Sequence, residues 1–138
     1  MPRFFHAPLT YATVPGTNAD TLTSAPVTEL AMHYYPISTT QEVQQEEVAK
    51  LLEVAAEIGR AYPKEWLYVA VGWSVEEVER EGMRDGSEKA KVLVAVVGWA
   101  GMDAYEMAIK SDLAKQIGPK LAAMGDGLEQ VFVELRQA

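Results

Sequence analysis

The 138-residue chain contains no cysteine. That removes disulfides, thiolate metal sites, iron–sulfur clusters and cysteine nucleophiles together. Histidine is nearly as scarce. Only His6 and His33 occur, in segments that need not meet, and no carboxylate spacing completes a metal site around either, so no metal is expected. Positive charge is short too: 12 Lys and Arg against 20 Asp and Glu leave a net charge of −8, which makes nucleic acid and anionic lipid poor partners. No apolar run approaches the ~20 residues of a membrane-spanning helix, and the start lacks the apolar stretch of a secretory signal. A cytoplasmic protein is the expectation. The glycine-rich phosphate and dinucleotide loops, the hydrolase elbow and the HExxH zinc motif are all missing, so no cofactor is expected either.

What is present is apolar: 49% of the residues are hydrophobic, enough for one domain of this length. Residues 1–26 form an N-terminal extension rich in Thr, Ser and Pro, with no helical period. Its opening Phe4, Phe5 and His6 are expected to dock on the domain or on a second subunit. The domain itself spans 27–138. Thr28 to Ile37 predicts a strand, and Thr39-x-x-Glu42 a capping box. Val48, Leu51, Leu52, Ala55 and Ile58 then give the apolar face of a helix ending near Gly59. Trp66 to Val75 and the almost wholly apolar Val92 to Trp99 predict two further strands, separated by the polar stretch Glu76 to Lys91. Met102 to Ile109 and Leu113 to Met124 predict a second helix, broken near Ser111-Asp112 and again at Gly118-Pro119. Glu129 to Arg136 alternates as a fourth strand.

The order is β-α-β-β-α-β. It predicts an α+β, ferredoxin-like fold: a four-stranded antiparallel sheet with both helices on one face. The other face has no cover of its own, which predicts a homodimer.

The run Val92-Leu93-Val94-Ala95-Val96-Val97-Gly98-Trp99 followed by Asp103-Ala104-Tyr105 resembles the dimeric α+β barrel superfamily. That group includes the antibiotic-biosynthesis-monooxygenase-like, EthD-like and stress-responsive barrel proteins. In its fungal members an apolar strand ends in Trp and a short turn leads to Glu-Ala-His. Here Trp99 keeps the Trp, Asp103-Ala104 resembles Glu-Ala, and Tyr105 stands where His is common. Trp66 to Trp73 resembles the strand after the first helix in the same group. The likeness implies a dimeric barrel and small-molecule chemistry of secondary metabolism. Residues 100–124 hold no His, so the family's heme-degrading set has no counterpart, and the Tyr and His of a related plant cyclase fall at Ala108 and Ala114.

The candidate catalytic residues are therefore His33, mid-strand where a titratable group is unusual, and Tyr105, whose phenol suits an enolate or ketone oxygen. Tyr35, Tyr68, Trp73, Trp99 and Met107 are candidate substrate-binding residues. Antiparallel pairing limits them: Tyr35 and Trp73 belong at one edge of the sheet, Trp66 and Trp99 at the other, and all are also ordinary core residues. The expected function is a cofactor-independent enzyme that moves a proton next to a carbonyl of an apolar aromatic or polyketide-like substrate, in cyclisation, dehydration or monooxygenation. The alternatives are a non-catalytic ligand-binding or stress-associated barrel protein, and an assembly module gripped by its N-terminal arm.

Overall fold

The computed structural model describes residues 6–11 and 24–134. Its elements are β1 (Thr10–Tyr11), β2 (Val27–Pro36), α1 (Gln41–Ala61), β3 (Trp66–Trp73), β4 (Val78–Glu79), β5 (Lys89–Trp99), α2 (Met102–Ile109), α3 (Asp112–Ala122) and β6 (Gly127–Val133). The sheet runs β1-β3-β5-β2-β6, every neighbour antiparallel, with β4 continuing beside β5 where β3 leaves off. The four long strands and the segmented second helix are the expected α+β fold. β5 is buried along nearly its whole length because it lies between β3 and β2.

Several boundaries differ from the sequence reading for local reasons. The cap of α1 is Thr40, whose hydroxyl accepts from Val43 N at 3.3 Å, while Thr39 donates to the Pro36 carbonyl at 2.6 Å. The helix continues past Gly59 to Ala61. β5 starts at Lys89, three residues early, because β4 offers its residues a partner: Val78 faces Ala90 and Glu79 faces Lys89. The second helix breaks once, at Ser111, whose hydroxyl caps α3 by accepting from Ala114 N at 3.1 Å; α3 runs through Pro119. Phe4, Phe5 and Arg136 lie outside the described residues.

Alternation along β2 divides the molecule. Glu29, Ala31, His33 and Tyr35 face the helices, and Thr28, Leu30, Met32 and Tyr34 face away. On the helix side, Leu51 and Ala55 of α1 and Ala108 of α2 pack with Val69, Leu93, Ala95 and Val97. The back face is not bare. Ala7, Leu9 and Ala25 pack on Tyr68, Ala70, Val94 and Val96, and Val78 and Met83 cover Tyr34 and Val92. The extension also adds β1 to the edge of β3, pairing Thr10 with Val71. Gly72 has no Cβ because the Pro8 carbonyl occupies that space. His6 closes the strap: its backbone N–H donates to Glu76 at 2.6 Å and its carbonyl accepts from Val75 N at 2.7 Å.

Candidate active site

Between the sheet and the helices lies a cavity of about 350 Å³. That size suits a small ring-bearing molecule. Most of its wall is aliphatic, from α1, α2, α3 and the strands, with Trp66, Trp99 and Tyr62 among the lining side chains. Polar groups enter from two places. His33 stands on β2, and Glu29, Gln130 and Tyr105 gather near its other end, Glu29 four residues earlier on the same strand face. At ~3.3 Å per residue the two positions on β2 are about 13 Å apart, so no proton passes directly between them.

His33 is 1% exposed and its Nδ1 has no hydrogen-bond partner. The ring is held instead by a hydrogen bond to the Met124 backbone. The chain delivers that carbonyl by a tight turn after α3. Gly125 adopts φ +74° and presses against the Tyr34 carbonyl, where a Cβ would collide, and Asp126 N donates to the same oxygen at 2.7 Å. A ring nitrogen that gives its hydrogen to that carbonyl leaves the other with its lone pair. Burial lowers the pKa of His33 from 6.5, opposed by the Met124 bond and by the charge of Glu47. The imidazole is therefore neutral at pH 7 and competent as a base.

Glu29, 7% exposed, accepts from Trp99 Nε1 at 3.1 Å and from Gln130 Nε2 at 2.6 Å. Burial raises its pKa, and these two donors hold it back. Gln130 also hydrogen-bonds Tyr105 in the sense that favours the phenolate, while burial and the Glu29 charge raise the phenol's pKa. One carboxamide thus ties β2, α2 and β6 together. Tyr105 packs edge-on against Trp99 at 5.5 Å and Phe132 at 4.6 Å.

Of the residues singled out in the sequence, the cavity collects His33, Tyr105 and Trp99. Tyr35 and Trp73 pair edge-on at 4.8 Å outside it, as Trp66 and Trp99 do at 5.1 Å within it. Tyr35 donates to Glu47 at 3.2 Å and Trp73 to the Gln44 carbonyl at 3.0 Å, so both polar groups are occupied. Tyr68 lies on the opposite face of the sheet, its ring over Gly98 and its hydroxyl bonded to Thr28 at 2.9 Å. Met107 is 46% exposed and lines no part of the cavity. Sequence reasoning missed Glu29 and Gln130. Their signal was alternation, which puts Glu29 on His33's face of β2 and Gln130 opposite Ala31 on β6.

No family model matches the chain, and no curated protein does. Solved structures do. SnoaB, a cofactor-independent oxygenase from Streptomyces nogalater, superposes with a TM-score of 0.50 at 18% identity, over 81% of this chain and 94% of its own. At3g17210 from Arabidopsis thaliana superposes with a TM-score of 0.53 at 9% identity, over 82% of this chain and 98% of its own. What they share with this chain is the α+β fold. Among the described residues no helix is long and apolar enough to cross a membrane, and no three His, Asp or Glu side chains gather in a metal-binding group.

Proposed function

We propose that this chain is a cofactor-independent enzyme of secondary metabolism that moves a proton next to a carbonyl on an apolar aromatic or polyketide-like substrate. The observation that carries the reading is His33: a buried, neutral imidazole on the wall of a mostly aliphatic cavity, with an Nδ1 that its neighbours cover and no described group pairs. In this mechanism the His33 ring turns its unprotonated nitrogen to the cavity and takes a proton from the carbon beside the substrate carbonyl. The C–H electrons pass into the enolate, while the Tyr105 O–H, at the far end of the cavity, is given to a second carbonyl oxygen of the same substrate. Tyr35 offers no second phenol for that role, since it donates to Glu47. The enolate then attacks a second carbonyl of the same molecule, expels a β-hydroxyl as water with the proton returned from His33, or reacts with dioxygen. The description of SnoaB as a cofactor-independent oxygenase supports a reading in which this fold works with its own side chains.

Exchange of the α-protons of 2-tetralone in D2O, followed by NMR, tests the proton transfer without knowledge of the natural substrate. The wild type is expected to accelerate exchange, and His33→Ala to lose about 100-fold of that acceleration. A folded His33→Ala variant that exchanges as fast as wild type overturns the proposal. The non-catalytic reading is favoured by one observation, that Tyr35, Trp73 and Glu29 are all satisfied internally. It predicts tight binding of such ketones with no exchange at all.

A homodimer over the back face belongs to the same proposal. Its support is Val131, 43% exposed, opposite half-buried Leu30 on the back face. Light scattering at micromolar concentration reads the mass; a monomer removes this part of the proposal.

A further inference from the structure

The polar end of the cavity has a direction. Gln130 Nε2 lies 2.6 Å from Glu29 Oε2, which fixes the carboxamide with its nitrogen toward the acid. Gln130 also favours the phenolate of Tyr105, as a donor does, and the N–H that Glu29 leaves over is the one available for it. The phenol oxygen is therefore an acceptor from Gln130, and among the described residues no group takes its proton. Trp99 N–H is already given to Glu29, and so is one N–H of Gln130. Among the described residues, the hydrogens left for a ligand at this end are the Tyr105 O–H and the Trp66 indole N–H, and the Tyr105 O–H is the one whose pKa the buried Glu29 carboxyl group influences.

We infer that Glu29 and Gln130 form a selectivity device: they aim the Tyr105 proton at an uncharged acceptor, a ketone or similar carbonyl oxygen, and turn carboxylate-bearing molecules away. Glu29 is a positioning residue here and touches the ligand only through its field. An anionic head placed on the phenol proton would meet the Glu29 carboxylate in a site with little water to screen it. A neutral carbonyl there gains the hydrogen bond without that repulsion. The inference rests on the cavity being the substrate site of the proposed function, but not on His33 acting as a base.

Three bicyclic probes separate these effects: naphthalene, 2-acetonaphthone and 2-naphthoate, titrated into the full chain and followed by quenching of Trp66 and Trp99 fluorescence. The ketone is expected to bind about five- to tenfold tighter than the hydrocarbon, the scale of one net hydrogen bond. Tyr105→Phe is expected to abolish that difference. Naphthoate is expected to bind weaker than the ketone at pH 7, and Glu29→Gln to narrow the ratio about tenfold or more. Desolvation of the probe's carboxylate is the same in wild type and variant, so a change in the ratio reports the Glu29 charge. A merely structural role for Glu29 would weaken all three probes together and leave the ratio alone. Equal affinities for ketone and naphthoate, a ratio unmoved in Glu29→Gln, a ketone preference surviving Tyr105→Phe, or no measurable binding of any probe overturns the inference. These readouts involve no turnover. Loss of exchange in His33→Ala with no ratio change sinks the selectivity and leaves the chemistry standing, and the reverse result does the opposite.

Discussion

The helix-facing side of the sheet carries two pairs of aromatic rings, and only one of them borders empty space. At one end Tyr35 and Trp73 meet edge-on at 4.8 Å, with the phenol on Glu47 and the indole on the Gln44 carbonyl. At the other, Trp66 and Trp99 meet at 5.1 Å in nearly the same geometry and line the cavity with Tyr105. The difference lies in what the partners leave over. α1 supplies an acceptor for each hydrogen of the first pair, and the end is finished. At the second end Trp99 is spent on Glu29 and Gln130 is shared, while among the described residues the Tyr105 O–H and the Trp66 N–H are given to no acceptor. A site is marked by an unspent polar group beside a void, and aromatic content does not locate it.

Truncation tests this contrast with the largest effects. Trp99→Ala removes a fully buried indole and strips one donor from the buried Glu29, and is expected to cost about 3–5 kcal/mol in urea unfolding. Trp73→Ala, at a half-buried position, is expected to cost about 2–3 kcal/mol. Affinity for 2-acetonaphthone should fall in the first variant and hold in the second. Equal loss of affinity in both would show that the two ends are one site.

Removing single hydroxyls gives a finer version of the same contrast. Tyr35→Phe deletes the bond to Glu47 and is expected to cost about 0.5–1.5 kcal/mol of stability, with probe binding unchanged. Tyr105→Phe deletes a hydroxyl that gives its proton to no described acceptor, so it is expected to cost less stability and to change binding instead. The two variants should cross over between the two assays. If Tyr35→Phe weakens the probe while Tyr105→Phe does not, the ends have been assigned the wrong way round.

Much of this is legible in the sequence. Hydrophobic period and turn chemistry placed the four long strands and the segmented helix, and antiparallel order sorted the aromatics into their two ends. Tyr68 shows where that logic stopped. Trp66 and Tyr68 are two residues apart and should share a face, but Leu67 bulges: Trp66 pairs with Trp99 and Tyr68 with Gly98. The extra residue turns Trp66 into the cavity and Tyr68 onto the back. Nothing in Trp-Leu-Tyr announces a bulge, because it follows from where Gly98 leaves room for the Tyr68 ring. The covered back face was illegible for a similar reason. Ala7 and Leu9 are unremarkable in a Thr- and Pro-rich arm, and only the pairing of β1 with β3 brings them over Ala70. Met107 failed as a ligand contact because residues on a short helix are sorted by which side meets the sheet, and its side meets solvent.

His33 belongs to both ends, and the smallest expected effect follows from that. Its ring lines the cavity, while the carboxylate of Glu47, which holds Tyr35 at the closed end, is near enough to raise its pKa. Burial outweighs this and leaves the pKa below 6.5. As pH falls, the unfolded chain takes up the His33 proton before the folded one does. The stability that His33 contributes is thus complete above about pH 6.5 and is lost as pH drops toward its lower folded value. The same value sets the acid limb of α-proton exchange, since only the neutral ring accepts a proton. Glu47→Gln removes the charge that favours the imidazolium and leaves Lys50, 3.2 Å from Glu47, without its partner. Both changes act in one direction. The acid limb is therefore expected to move to lower pH, with the His33 ring resonances titrating later in an NMR series. A limb that stays in place while the variant remains folded would separate His33 from the closed end, and the two ends would then be electrostatically independent.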